Sequence, residues 1–184
     1  MSKASSALVA AVRKLTDAVG ECAVDPVDGV RLLLALAQAS PPPASPYPTR
    51  LAGQLAALAM LRRSALISLA RVCARYNPAS SSEAAALRDQ VCEAFDSAIL
   101  QAGDAGSTGV YRALRRLRSA VAADLAKRAI SLPALVTVTL PQSEPSLVAA
   151  WKLFGTVRRE PGMVARAGVV HPLFMPLSFE ALSR

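Results

Sequence analysis

From Ser5 to Ile130 apolar residues recur at three- and four-residue intervals, the period of α-helices that each bury one face. A first helix is expected over Ser5–Val19, with Leu8, Val12, Leu15 and Val19 inward and Gly20 as a left-handed stop. Asp25-Pro26 restarts the chain, Asp25 as cap, Pro26 in the first turn and Asp28 at the positive end of the helix dipole. This second helix carries Val30, Leu33, Leu34 and Ala37 and ends before Pro41. Five of the nine residues from Ser40 to Pro48 are proline, which predicts a semi-rigid extended linker and a domain boundary. A third helix runs from Thr49, as cap, to Tyr76, with Leu51, Leu55, Leu58, Leu61, Ala65, Leu69, Val72 and Tyr76 on one stripe. Asn77-Pro78 ends it.

Ser80 to Glu83 reads as a capping box, placing a fourth helix at Ser81–Gln101 with Leu87, Val91, Phe95 and Ile99 inward. Ser107 or Thr108 caps a fifth, Gly109–Ile130. Its residues Val110, Leu114, Leu117, Val121 and Leu125 fall within about 80° on a helical wheel. Arg112, Arg115 and Arg116 lie on the far side, so a basic surface is expected there. Helices three to five can then bury their stripes as an antiparallel bundle.

After Pro133 the pattern changes. Val136, Val138 and Leu140 alternate with Thr137 and Thr139, the period of a half-buried strand. No other segment supplies a convincing partner strand, so this one is expected either to lie extended on the helices or to pair with another chain. Ser146–Phe154 reads as a short helix with Leu147, Trp151 and Phe154 on one side, closed by Gly155. Pro161 opens a brief turn through Ala167, followed by an extended tail that ends His171-Pro172-Leu173-Phe174-Met175-Pro176. The expected fold is mainly α: an antiparallel helical bundle with a short β or extended segment and an extended C-terminal tail. Three regions follow: 1–48, helical with the Pro-rich linker; 49–131, the three-helix core; and 132–184, strand, short helices and tail.

Composition sharpens this picture. Aromatics are only 4% of 184 residues while 53% are hydrophobic, much of it alanine, which favours closely packed helices. A chain of this length can bury a core without disulfides. Cys22, Cys73 and Cys92 form no close pair, each in an apolar helical context, and read as reduced core residues. No C-x-x-C occurs and there is one histidine, so a zinc site is not expected. Neither a signal peptide nor a membrane span is expected: Arg13 cuts the first apolar stretch, and Leu32–Ala39 is too short. The net charge of +8 comes almost wholly from arginine, a side chain as suited to protein interfaces and ion pairs as to phosphates.

Candidate chemistry is sparse. His171 precedes a proline and has no carboxylate or nucleophile in a recognisable pattern. Gly103, Gly106 and Gly109 lack the preceding strand and the Lys-Ser/Thr of a phosphate loop and read as a flexible helix connection. Asp89, Glu93 and Asp96 share a helical face, with Arg88 nearby, and read as a salt-bridged surface. Arg62, Arg63, Arg71 and Arg75 on the third helix and Arg112, Arg115, Arg116 and Arg118 on the fifth would make a positive strip if they shared a face. Trp151, Phe154 and Phe174 gather aromatic area outside the main stripes; they either complete the core or act as interface anchors.

The series Leu66–Arg71, Ala74-Arg75-Tyr76, Ala84–Asp89, Tyr111–Arg115 and Leu135–Val138, closing with Ala165-Arg166, His171-Pro172 and Phe174-Met175-Pro176, resembles the C-terminal half of the Mu-like bacteriophage DNA circulation (circularisation) proteins. The likeness runs from Arg63 to Leu182; the family's separate N-terminal domain has no counterpart, and helices with a Pro-rich linker stand in its place. The resemblance implies a virion protein of a phage tail baseplate or hub, folded in the bacterial cytoplasm. The expected role is structural, without enzymatic activity or cofactor, in a ring of copies bound to other tail and baseplate proteins. Trp151, Phe154, His171 and Phe174 are the expected partner contacts, and Arg62, Arg63, Arg112, Arg115 and Arg116 the basic surface. The alternative expectation is a basic helical protein that binds phage DNA.

Overall fold

The computed structural model describes residues 3–23, 25–41, 43 and 47–183, with backbone alone for 3–5 and 48–50. The fold is mainly α. Its elements are α1 (Lys3–Cys22), α2 (Pro26–Ala37), α3 (Pro48–Arg75), α4 (Ser81–Asp104), α5 (Thr108–Ala129), β1 (Leu135–Thr139), α6 (Ser146–Phe154), a 3-10 turn (Val157–Arg159), α7 (Glu160–Ala167) and β2 (Ser178–Leu182). Two compact units divide the chain: Met1–Asn77 with Ala85–Lys127, and Pro78–Ala84 with Arg128–Arg184.

The first unit is built on the second half of α3. Ala65, Leu66, Leu69, Val72, Cys73 and Tyr76 are buried there. One continuous core joins this stripe to Val30 and Leu33 of α2, to Leu87, Val91, Phe95 and Ile99 of α4, and to Leu114, Val121 and Leu125 of α5. The α4 and α5 residues are those that helical spacing places inward. Earlier in α3 the stripe continues but its cover does not: Leu55 is exposed, because a 28-residue helix outreaches the 12-residue α2 beside it.

Helix α1 departs from its expected orientation. Leu8 and Leu15, expected inward, are exposed, whereas Thr16 is fully buried. The cause is Gly20, which does not stop the helix but lies within it. A Cβ at Gly20 would sit 2.9 Å from Val72 Cγ2 and 3.4 Å from Leu33 Cδ1, so the bare glycine lets α1 lie close against α2 and α3. The small side of α1 therefore faces in. Cys22 is exposed instead of buried, since two residues beyond Gly20 is the opposite side of the helix. Cys73 is buried as expected, Cys92 is half-buried, and all three are free thiols.

Local capping follows the sequence closely. Asp25 Oδ1 accepts the Val27 N–H at 2.9 Å. Ser80 Oγ accepts the Glu83 N–H at 3.1 Å while Glu83 Oε2 accepts the Ala79 N–H at 2.7 Å, a reciprocal capping box in which the glutamate reaches one residue further back than usual. Thr49 is not a cap: α3 begins at Pro48, a residue whose fixed φ suits the first turn, with Tyr47 in the cap position and no side-chain capping bond from it. The glycine run between α4 and α5 is a defined turn. Gly106 takes φ 64, Ser107 N–H donates to Ala102 O and Gly106 N–H to Gly103 O, both at 2.9 Å, the bond pair of a Schellman motif. Positions 42 and 44–46 of the expected Pro-rich linker lie outside the described residues; the helices on both sides of it, α2 and α3, belong to this one unit.

In the second unit the strand finds a partner within the chain. β1 pairs antiparallel with β2, from Leu135 opposite Leu182 to Thr139 opposite Ser178. This corrects the expectation of an unpartnered strand and of a free extended tail: the chain turns at Pro172-Leu173 and bends at Leu177, and its last residues run back beside β1 as β2. Leu140 N–H donates to Leu177 O and Ser183 N–H to Ala134 O, both at 2.7 Å, continuing the pairing at each end. The core beside this ribbon comprises Ala149, Ala150, Met163, Met175, Phe179 and Ala181. Left-handed glycines close both short helices, Gly155 after α6 at φ 67 and Gly168 after α7 at φ 60.

Two glycines test the packing of α1 and α3. Gly20→Val will destabilise the protein by about 2 kcal/mol through overpacking against Val72, whereas Gly53→Ala, which meets open space on exposed α3, will stabilise it by about 0.5–1 kcal/mol. Urea unfolding midpoints of the two variants, moving in opposite directions, check this.

Candidate interaction surfaces

In the second unit, α6 packs through its small residues. Ser146, Ala149 and Ala150 are buried, and the large apolar residues beside them face solvent: Leu147 is 56% exposed, Val148 43% and Trp151 62%. The tail is clamped beside the start of this helix. Pro172 O accepts the Ser146 N–H at 2.7 Å, Glu144 O accepts the Met175 N–H at 3.0 Å, and Met175 O accepts from Ser143 Oγ at 2.9 Å. Met175 is thereby drawn into the core while Leu173 and Phe174 remain out, Phe174 at 69% exposure. Lys152 Nζ, at 2.6 Å and 2.7 Å from the two carboxylate oxygens of buried Glu144, ties α6 to the segment before it.

The four expected partner contacts therefore separate. Trp151 and Phe174 are exposed aromatic residues. His171 is exposed; its Nδ1 accepts the Leu173 N–H at 3.3 Å and its ring lies 5.9 Å from that of Phe174, so it shapes the turn that presents the phenyl group. Phe154 instead packs against the core, with the Arg159 guanidinium 5.5 Å from its ring centroid. It is half-buried because it sits four residues past Ala150, on the inward side of the helix.

The first unit carries the arginines, and they do not form one free strip. Arg62, expected as basic surface, donates from Nε to Ala39 O at 3.0 Å and from Nη1 to Gln101 Oε1 at 3.0 Å. It satisfies a carbonyl just past the end of α2, where no helical amide is available to do so. Arg71 pairs with Asp17 at 2.8 Å and Arg118 with Asp96 through two contacts of 2.7 Å. Hydrogen bonding to Asp96 is the first cause that raises the Arg118 pKa. Arg115 stacks over Tyr111, 5.7 Å from the ring centroid. Arg112 and Arg116 point to solvent as expected, and Arg63 lines an apolar cavity together with Arg13. That cavity, about 610 Å³ between α1, α3 and α5, was not anticipated from the sequence. Its signal was the second apolar line on α3, Ala56, Met60 and Ile67, which a single-stripe reading passes over.

Asp17 is the electrostatic junction of α1 and α3. Its Oδ1 accepts from Ser68 Oγ at 2.7 Å and from Arg71 Nη1 at 2.8 Å. The Ser68 hydroxyl, and after it the Arg71 guanidinium, hold the carboxyl below the usual carboxylate range against the opposing pull of partial burial. Thr16 Oγ1 donates to Arg13 O at 3.0 Å, so the buried hydroxyl beside this junction is also satisfied.

Among the described residues no group of three or more His, Cys, Asp or Glu is arranged to hold a metal ion, and no helix is long and apolar enough to cross a membrane. The chain matches no protein-family model and no curated protein.

The lowered Asp17 pKa carries a sign. Its stabilising contribution is complete above the unfolded carboxyl pKa of about 4 and is lost as pH falls through the lower folded value. Asp17→Asn will therefore unfold more readily than the native protein at neutral pH, and this difference will shrink below about pH 4. Denaturant midpoints measured from neutral to acid pH for both proteins check this.

Proposed function

We propose that this protein is a non-enzymatic structural component of a phage or phage-derived tail baseplate or hub, bound to neighbouring subunits through the aromatic face of its second unit. The observation that carries the reading is the inverted burial of α6, with alanines inside and Leu147, Val148 and Trp151 outside, next to a clamped turn that exposes Leu173 and Phe174. Large apolar groups held rigidly in solvent gain most by docking, since their ordering cost is already met within the fold. The resemblance of Arg63–Leu182 to the Mu-like circulation proteins supplies the tail context.

Docking here does not require a free tail. The strand pairing and buried Met175 and Phe179 make the C-terminal residues part of the unit, and the partner meets a finished surface. The DNA-binding alternative has less support, because Arg62, Arg71 and Arg118 are engaged inside the first unit.

Truncation of the tail would remove β2 and part of the core, so point substitutions give the cleaner test. Trp151→Glu with Phe174→Glu will leave the helical circular dichroism unchanged and lower incorporation into sedimented tail particles by roughly tenfold or more, the loss expected for interface anchors. Normal incorporation of a folded double variant overturns the reading.

A further inference from the structure

The 610 Å³ cavity of the first unit is one end of a longer groove. A second cavity of about 350 Å³ lies further along α3 and α5, and Ile67 and Leu117 line both. On α3 the combined lining runs from Ala56 to Ala74, which at helical rise is about 27 Å, five turns. Alanines along both helices, Ala70 and Ala74 on one side and Ala113 and Ala120 on the other, leave the floor low between the larger residues. A trough of that length with a low apolar floor fits a helix better than a compact small molecule.

The charges select which helix. Arg13 and Arg63 line the larger cavity, no carboxylate does, and neither arginine makes an ion pair among the described residues. Asp17, the nearest acid on α1, is already committed to Ser68 and Arg71. At the far end Arg71 and Asp124 both line the wall, so the positive excess is confined to the Arg13–Arg63 end. Helix α1 of a second copy is a poor occupant: its exposed apolar residues, Leu8 and Leu15, flank Arg13 and Lys14, the same sign as the groove. We infer that the α3–α5 groove is a docking site for an amphipathic helix of a partner protein, with apolar anchors on one face and acidic residues beside them that pair with Arg13 and Arg63. The inference uses none of the α6 and tail residues that form the proposed docking face of the second unit.

The test uses the full protein and three synthetic peptides of about 18 residues, the length of the groove in helical form. One carries leucines on a single helical face flanked by glutamates, the second replaces the glutamates by lysines, and the third keeps the glutamates but scatters the leucines. Fluorescence anisotropy will show the first binding with micromolar affinity and the other two at least about tenfold more weakly. Ile67→Asp will abolish that binding. Arg13→Glu with Arg63→Glu will transfer the preference to the lysine peptide, a gain that misfolding does not produce. Equal binding of the glutamate and lysine peptides, or unchanged binding to a folded Ile67→Asp variant, overturns the inference. So does dodecanoate binding the groove more tightly than any peptide, which would assign it to a lipid.

Discussion

The first unit depends on how closely α1 can approach α3. A side chain at Gly20 would force Val72 and Leu33 to shift, and Thr16 and Ser68 bring two hydroxyls into the same buried strip. Buried hydroxyls destabilise unless they are bonded. Here Thr16 donates to the Arg13 carbonyl and Ser68 to the Asp17 carboxylate, which Arg71 also holds from the rim. The junction fixes the rotation of α1 about its axis. With that rotation set, Val9 and Arg13, which stand on the same side as Thr16 and Gly20, face the α3–α5 groove, while Leu8 and Leu15 turn to solvent.

The same trade recurs in the second unit at smaller scale. Ala149 and Ala150 let α6 settle against Met163, Met175 and Phe179, so the core takes its bulk from the tail and α7 instead of from α6. Trp151 has no place left inside. Close packing through small residues gains contact across the backbone and leaves the larger residues outside. Exposed leucines are ordinary on any surface, but a tryptophan, a phenylalanine and two leucines held by a clamped turn and a short helix form a shaped patch.

What could be read from the sequence, and what could not, divides along the range of the interactions. Leu87, Val91, Phe95 and Ile99 are all buried, and Asp25, Ser80 and Gly155 act as caps, because periodicity and capping are settled within a turn or two of the chain. The strand β2 was missed although Phe179 and Ala181 alternate with Ser178 and Glu180. Its Glu, Ala and Leu are helix formers, and its strand state comes from a partner some forty positions away. Gly20 is ambiguous in sequence for a related reason. A glycine after an apolar stripe signals either a left-handed stop or a helix contact, and only the approach of Val72 from α3 decides between them. The interaction residues follow the same division. Trp151 and Phe174 stood out as aromatics outside the main stripes, but the fate of Arg62 was fixed by the Ala39 carbonyl, a partner that only the fold brings near.

Exposure of large apolar groups and internal use of arginine are linked consequences of one composition. Where an alanine-rich face packs closely, as on α6, the larger residues of the same helix are left outside. Arginine then does two jobs that bulk would otherwise do. Arg62 satisfies the Ala39 carbonyl beyond the end of α2, and Arg71 and Arg118 join helices through carboxylates at their rims. Surface pairs of this kind add little stability each, but they settle which arginines remain available. Arg13 and Arg63 at the groove and Arg112 and Arg116 on the outer face of α5 are among those that make no ion pair within the described residues. A net charge of +8 thus describes the molecule less well than its distribution, in which some arginines hold helices together while Arg13 and Arg63 border an apolar groove. Apolar surface bordered by unpaired cations is best covered by a partner that brings both hydrophobic anchors and acidic groups.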